Sequence, residues 1–385
     1  MESLLNNQVK SIEISGIRQF FNMVANYKDV ISLTIGQPDF QTPEHVKEAA
    51  IDAVNHNHTM YTHNAGLLEL RKAVSSFVST KYGLSFNPES EVITTVGASQ
   101  AIDITMRTIL SEGDEVILPG PVYPGYEPII KMCGAKAVHV DTTRNGFRMT
   151  KDLIEPHITA NTKCIIIPYP SNPTGCRLSE EELAEIAEFL LDKNIFVVSD
   201  EIYSELAFDG NHKSIAAFPG MKEKTIVING LSKSHSMTGW RIGFAFAPEY
   251  IAKHMLKVHQ YNVSCASSIS QYAALEALTN GKNDALEMRK EYEKRMEYVF
   301  GRLVRMGFEV EKPEGAFYIF PSIKQFNMSS FDFAMKLVEE AGVAVVPGSA
   351  FSGLGEGYVR ISYAYRMDVL EDGMNRIEEL IYKMV

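Results

Sequence analysis

Between about residues 95 and 260 the chain alternates short apolar runs with helical patterns, and few folds accommodate that alternation. The runs are Val116-Ile117-Leu118, Ala137 to Val140, Cys164 to Tyr169, Ile195 to Ser199, Thr225 to Asn229 and Ile242 to Ala247, each bounded by Gly, Pro, Asp or Asn. Strands that are apolar along their length are buried on both faces, and helices between them act as crossovers. The pattern therefore predicts an α/β unit with a mostly parallel central sheet flanked by helices. One flanking helix is legible in detail in SEEELAEIAEFLLDKN. Ser179 is placed as its N-cap with Glu182 three residues on, and Leu183, Ile186, Ala187, Leu190 and Leu191 recur at helical spacing.

After about residue 283 the texture changes to long charged amphipathic helices, as in ALEMRKEYEKRMEYVFGRLVRMG, with strands in FYIFPSI, VAVVPG and YVRISYA. The expected organisation is a large domain over 45–282 and a smaller α+β domain built from 1–44 together with 283–385. A chain of 385 residues has room for both, and 45% hydrophobic against 22% charged residues gives enough apolar surface for a core. The net charge of −11, with no basic block, argues against nucleic acid and anionic membrane surfaces as partners. Cys133, Cys164, Cys176 and Cys265 form no CxxC pair, so they are expected to be reduced, mostly buried thiols of a cytoplasmic protein rather than zinc ligands or disulfides. No leader-like segment and no long uncharged apolar stretch is evident, so neither export nor a membrane anchor is expected.

The polar, glycine-containing segments that follow the expected strands are where an open parallel sheet binds ligands. In Val96-Gly97-Ala98-Ser99-Gln100 a glycine and a potential capping serine open the helical run AIDITMRTIL, and free N–H groups at a helix start suit a phosphate. Lys233, in Ser232-Lys233-Ser234-His235, lies among small hydroxyl residues, a setting unlike that of a solvated helix lysine. A desolvated lysine is the side chain that forms Schiff bases with carbonyls. Arg241, in a glycine-flanked apolar segment, needs an anionic partner such as a phosphate. Asp200 ends IFVVSD; buried there, its ionised carboxyl must meet a cation, the ordinary alternative being a helix N-cap. Tyr203 follows three residues on. Asn172, in PSNPTG, follows a strand and builds a turn with Pro173 and Gly175.

IGQPDF, YTHNAGLLELR, GASQA, PGPVYPGY, PYPSNPTG, SDEIY, SKSHSMTGWRIG, PEGAFYIF and YVRISYA occur in one order along essentially the whole chain. In this the sequence resembles the fold-type I, pyridoxal-phosphate-dependent aminotransferases of class I/II. The resemblance implies that Lys233 holds the cofactor aldehyde as a Schiff base and, once displaced, moves the proton at the substrate Cα. It implies that Asp200 keeps the pyridine nitrogen protonated, that Tyr203 and Asn172 bond the ring oxygen, and that Tyr123 stacks on the ring. Ala98, Ser99, Ser232, Arg241 and Tyr61 of a neighbouring subunit would hold the phosphate. Arg360 would clamp the substrate α-carboxylate, with the Gly36 backbone lining that site. The Asn172-Pro173 bond is open to the cis form. His63 and His235 are read as local hydrogen-bonders, and Cys176 and Cys265 as bystanders.

The activity so implied is ping-pong transamination between an amino acid and 2-oxoglutarate, in a homodimer with the site at the subunit interface. Within the family, the segment from INGLSKSHSMTGWRIG to ASSISQ resembles members that act on N-acetyl-L,L-diaminopimelate, and that resemblance implies this intermediate of lysine biosynthesis as the amino donor. Aspartate, aromatic amino acids and carbon–sulfur lyase chemistry remain alternatives. A non-enzymatic regulator on the same fold is disfavoured because no basic module is evident.

Overall fold

The computed structural model describes residues 1–384. A short strand β1 (Ile31–Ser32) precedes β2 (Val92–Thr95), β3 (Glu115–Gly120), β4 (Lys136–Asp141), β5 (Thr162–Ile167), β6 (Phe196–Asp200), β7 (Thr225–Gly230) and β8 (Gly243–Phe246). β2 to β8 form one seven-stranded sheet in the order β2-β8-β7-β6-β5-β3-β4. β7, β6, β5, β3 and β4 run parallel, and β8 runs antiparallel to both β7 and β2. The six expected apolar runs all fall on strands. β2 has the sequence VITT, half threonine, which hides it from a search for solid apolar runs although every residue of it is buried.

The order of the strands reverses between β3 and β5, which opens a crevice beyond their carboxyl ends. The helix Glu180–Leu190 between β5 and β6 carries the expected capping box: the Ser179 side chain accepts from the Glu182 N–H, and Glu182 Oε2 accepts from the Ser179 N–H. The helix after β2 differs from expectation. It runs Gly97–Ile109 with Val96 at the N-cap, so Ser99 lies inside the first turn and caps nothing. Gln100 reaches back instead, its Oε1 accepting from the Val96 N–H at 2.7 Å.

Beyond the large sheet come β9 (Tyr318–Ile319), β10 (Val343–Ala344), β11 (Val346–Pro347) and β12 (Val359–Ser362). β1 pairs with β10, and β11-β12-β9 form an antiparallel ribbon. The long helix Ala285–Arg305 covers them. One hydrophobic cluster joins Phe20, Val24 and Leu33, from the start of the chain, to Tyr292, Val299, Phe317, Val343 and Ile361. Burying a side chain such as Phe20 stabilises by about 1.5–3 kcal/mol, so the helix Gly16–Val24 is pinned to the end of the chain. Separate clusters pack on the two faces of the large sheet. All four cysteines are free, Cys164 and Cys176 fully buried. Among the described residues no helix is long and apolar enough to cross a membrane.

Candidate active site

A cavity of about 480 Å³ opens where the strands of the large sheet end. Asp200 is the last residue of β6. Lys233 and Ser232 lie on the short helix Leu231–Ser234 that leaves β7, Asn172 follows β5, and Tyr123 follows β3. These residues line the cavity together with Gly36, Ala98, Ser99, Tyr203, Arg241 and Arg360. Eleven of the twelve residues anticipated from sequence thus meet in one place. The exception is Tyr61, which is 87% exposed and lines none of it.

Asp200 does not cap a helix. Its Oδ2 accepts from the Tyr126 hydroxyl at 2.6 Å and its Oδ1 from the Ile202 N–H at 3.2 Å. Burial pushes its carboxyl up to about 6 even against those two bonds, so a buried cation beside it would be strongly favoured. Lys233 is pulled down to about 8, first by burial and then by the like charges of Arg360 and Arg241. Its Nζ donates to the Gly36 carbonyl at 2.6 Å. A lysine held near neutrality in this way is a competent nucleophile and base.

Arg360, on β12, is only 2% exposed, yet its hydrogen-bond partners are neutral: Asn172 Oδ1 at 2.9 Å and the Thr34 carbonyl at 2.6 Å. Its Nε has no partner at all. The guanidinium lies over the Tyr318 ring, 4.4 Å from the centroid, and the Tyr318 hydroxyl pairs with that of Tyr203 at 2.9 Å. Burial lowers its pKa, which is the penalty of an arginine kept from water without an anion. A planar carboxylate entering the cavity would relieve it.

At the other end of the cavity Arg241, in the left-handed region at φ +50°, approaches the start of the helix Gly97–Ile109. A Cβ on Gly97 would lie 2.5 Å from an Arg241 terminal nitrogen, and a Cβ on Gly243 would lie 2.6 Å from the Ala98 nitrogen. Both glycines are required for close approach, and together they bring a guanidinium, a helix start and the Ser232 hydroxyl to one spot, the composition of a phosphate cradle. The Asn172-Pro173 bond is cis. His235 bridges Ser234 and the Gly281 carbonyl, and His63 accepts from the Ala65 N–H, so both are local hydrogen-bonders.

Sequence reasoning missed Tyr126, Tyr318 and Thr34, although PGPVYPGY and PEGAFYIF had been singled out. It also missed Ile17, Arg18 and Gln37, which line the cavity from the N-terminal segment.

A doubly wound sheet with a lysine and a buried carboxylate at its strand ends, facing a buried arginine on β12 that lacks an anionic partner, suits an enzyme that handles amino acids through a carbonyl cofactor. The family model for aminotransferase class I and II matches residues 28–377, and the chain belongs to that family. It is 65% identical over 383 residues to a probable N-acetyl-LL-diaminopimelate aminotransferase of Bacillus subtilis, covering 100% of this chain and 97% of that one. It is 42% identical to aromatic-amino-acid aminotransferase 2 of Thermococcus litoralis, with 98% of each chain covered. The solved aspartate aminotransferase of Thermus thermophilus with maleate superposes with a TM-score of 0.93 at 35% identity, covering 98% of this chain and 99% of that one. The protein is therefore a transaminase of the fold-type I class, acting on amino acids and 2-oxo acids with pyridoxal 5'-phosphate. The chain's own residues fit that cofactor. Asp200 is a buried carboxylate awaiting a cation, Lys233 a depressed lysine, and the Gly97 turn with Arg241 a cradle that any Cβ would fill.

Proposed function

We propose that this enzyme transfers an amino group between N-acetyl-L,L-diaminopimelate and 2-oxoglutarate in lysine biosynthesis, working in the cytoplasm as a homodimer. The observation that carries the chemistry is the buried Arg360 guanidinium, unpaired at Nε, sharing a cavity with Lys233. The full-length similarity to the Bacillus subtilis protein supports the donor.

When bound, pyridoxal phosphate supplies an electron sink that lets a proton leave the α-carbon of an amino acid. The protein's share is positional and electrostatic. Arg360 takes the α-carboxylate as a fork, with the Gly36 backbone lining that site. Lys233, held near neutrality, would accept the α-proton at Nζ and return it two atoms further along, at the carbon that derives from the cofactor aldehyde. Asp200, steadied by Tyr126, would keep a proton on the ring nitrogen. Tyr203 and Asn172 would address the ring oxygen, and Tyr123, itself braced edge-on by Tyr126 at 5.5 Å, would cover the ring face. Ala98, Ser99, Ser232 and Arg241 hold the phosphate. Tyr61 completes that cradle from the second subunit, which accounts for its exposure on a surface that also bears Met60. The large domain, 45–282, supplies the cofactor groups, and 1–44 with 283–385 supply the carboxylate clamp. Free thiols such as Cys133 and Cys265 suit a reducing compartment.

A panel of donors assayed with 2-oxoglutarate tests the reading. N-acetyl-L,L-diaminopimelate should give the highest kcat/KM. Preference for aspartate or phenylalanine would remove the assigned donor, and ammonia with pyruvate from cystathionine would replace transamination by elimination.

A further inference from the structure

Two phenol hydroxyls meet in the cavity wall, each with one proton to place. Tyr203 and Tyr318 approach to 2.9 Å, and the distance alone does not say which oxygen donates. Among the described residues neither hydroxyl has another hydrogen-bond partner. Under the reading above Tyr203 has a task, bonding the ring oxygen of the cofactor, whereas Tyr318 has none. A Tyr203 proton spent on Tyr318 would be lost to any acceptor in the cavity, so the direction of this one bond decides whether Tyr203 can do its task.

Packing holds both rings. Tyr318, on β9, lies opposite Ser362 of β12, two positions from Arg360 and on the same face of that ribbon. The Arg360 guanidinium stands 4.4 Å from the centre of the Tyr318 ring and 4.9 Å from that of Phe351. The Tyr203 ring meets Phe317 edge-on at 5.5 Å and Tyr318 itself at 5.9 Å. A Cβ on Gly36 would lie 2.6 Å from the Tyr318 oxygen, so that hydroxyl has its place because residue 36 has no side chain. With the rings held, the freedom left to each hydroxyl is the rotation of its proton. The cation over the Tyr318 ring biases that rotation, because a chain of hydrogen bonds polarised by a positive charge at one end donates away from it. Acidity points the same way. Burial pushes both phenols up, Tyr203 well above its ordinary range, and at Tyr318 the Arg360 charge is the strongest influence against that rise.

We propose that Tyr318 is a positioning residue for the reaction: its hydroxyl donates to the Tyr203 oxygen and so turns the Tyr203 proton into the cavity, where the ring oxygen would accept it. This deepens the function proposed above and rests on it in taking Tyr203 as the donor to that oxygen. Tyr318 acts through Tyr203 and touches none of the reacting atoms.

The test titrates the visible absorbance of the holoenzyme against pH in the absence of substrate. The proton it reads is shared between the lysine-linked nitrogen and the ring oxygen, and a donor at that oxygen stabilises its negative charge and lowers the midpoint. Tyr203→Phe should therefore raise the midpoint. Tyr318→Phe removes one oxygen atom and keeps the ring beside Arg360; it should raise the midpoint by about 0.3–1 pH unit, less than Tyr203→Phe does. In the double variant the second substitution should add nothing, since Tyr318 reaches the ring oxygen only through Tyr203. A packing role for Tyr318 would shift both backgrounds alike. With the Tyr203→Phe midpoint raised, an unmoved or lowered midpoint in Tyr318→Phe, or additive shifts in the double variant, would overturn the proposal and leave the function above standing. An unmoved midpoint in Tyr203→Phe would overturn the role given to Tyr203 above, and this proposal with it.

Discussion

The floor of the cavity and its mouth differ in how their charges are kept. Asp200, Lys233 and Arg360 on the floor are anchored at strand ends or on a strand and hydrogen-bonded to neutral partners, so burial, aided at Lys233 by two nearby arginines, displaces the pKa of each toward its neutral form. Arg18 and Gln37 at the mouth are exposed and come from the first segment of the chain. The difference teaches which part does what. Unmet charge in a dry place is expensive, so the floor is committed to groups that every substrate and the cofactor bring. The wet mouth can vary the side chain it accepts at little cost to the fold.

The sharpest way to break this division is Lys233→Ala. Turnover with every donor should fall by at least about 10⁴-fold, with loss of the visible absorbance of the lysine-linked cofactor. Residual activity at wild-type level would remove Lys233 from the floor's chemistry. Arg360→Ala comes next. It should lower kcat/KM about ten- to hundredfold for mono- and dicarboxylic amino acids alike, chiefly through KM. A loss confined to one substrate class would move Arg360 to the mouth's side of the comparison.

Tyr126→Phe sharpens the picture at smaller scale. The hydrogen bond from Tyr126 lowers the Asp200 pKa, so its removal should raise that pKa further and shift the acid limb of the kcat/KM profile to higher pH. Pyridoxal phosphate should bind about three- to tenfold more weakly. An acid limb that stays in place would show that Tyr126 does not steady Asp200. The smallest effect concerns pH alone. In protein stripped of cofactor, capture of pyridoxal phosphate requires the neutral amine, so its rate should rise through about pH 8 rather than near 10.5. Arg360 lowers the Lys233 pKa, so in Arg360→Ala the midpoint should move upward. A downward move would contradict the assigned repulsion.

Much of the floor was legible beforehand. Asp200 and Lys233 follow apolar runs at strand ends, and a motif places each there without tertiary information. The capping box at Ser179 and Glu182 is likewise local. Tyr126 and Tyr318 were harder, because what makes them part of the site is the group each hydroxyl or ring meets, Asp200 or Arg360, far off in sequence. Thr34 contributes only a carbonyl, and a backbone oxygen leaves no mark in a sequence. The mouth was illegible for a related reason: an arginine on a short amphipathic helix reads as solvated surface until the helix is docked. The edge strand Val92–Thr95 escaped because its threonines are buried by neighbours that only the fold supplies.

Arg360 takes its orientation from a carbonyl at residue 34 and an amide at residue 172, and itself lies near the end of the chain. Lys233, Asp200 and the Gly97 turn all precede it by more than a hundred positions. Under the proposed roles, a growing polypeptide would possess every group of its own that grips the vitamin long before it can grip an amino acid. With Arg360 in the role proposed for it, substrate recognition would be the last competence this molecule acquires during its synthesis, and loss of either terminus would extinguish it first.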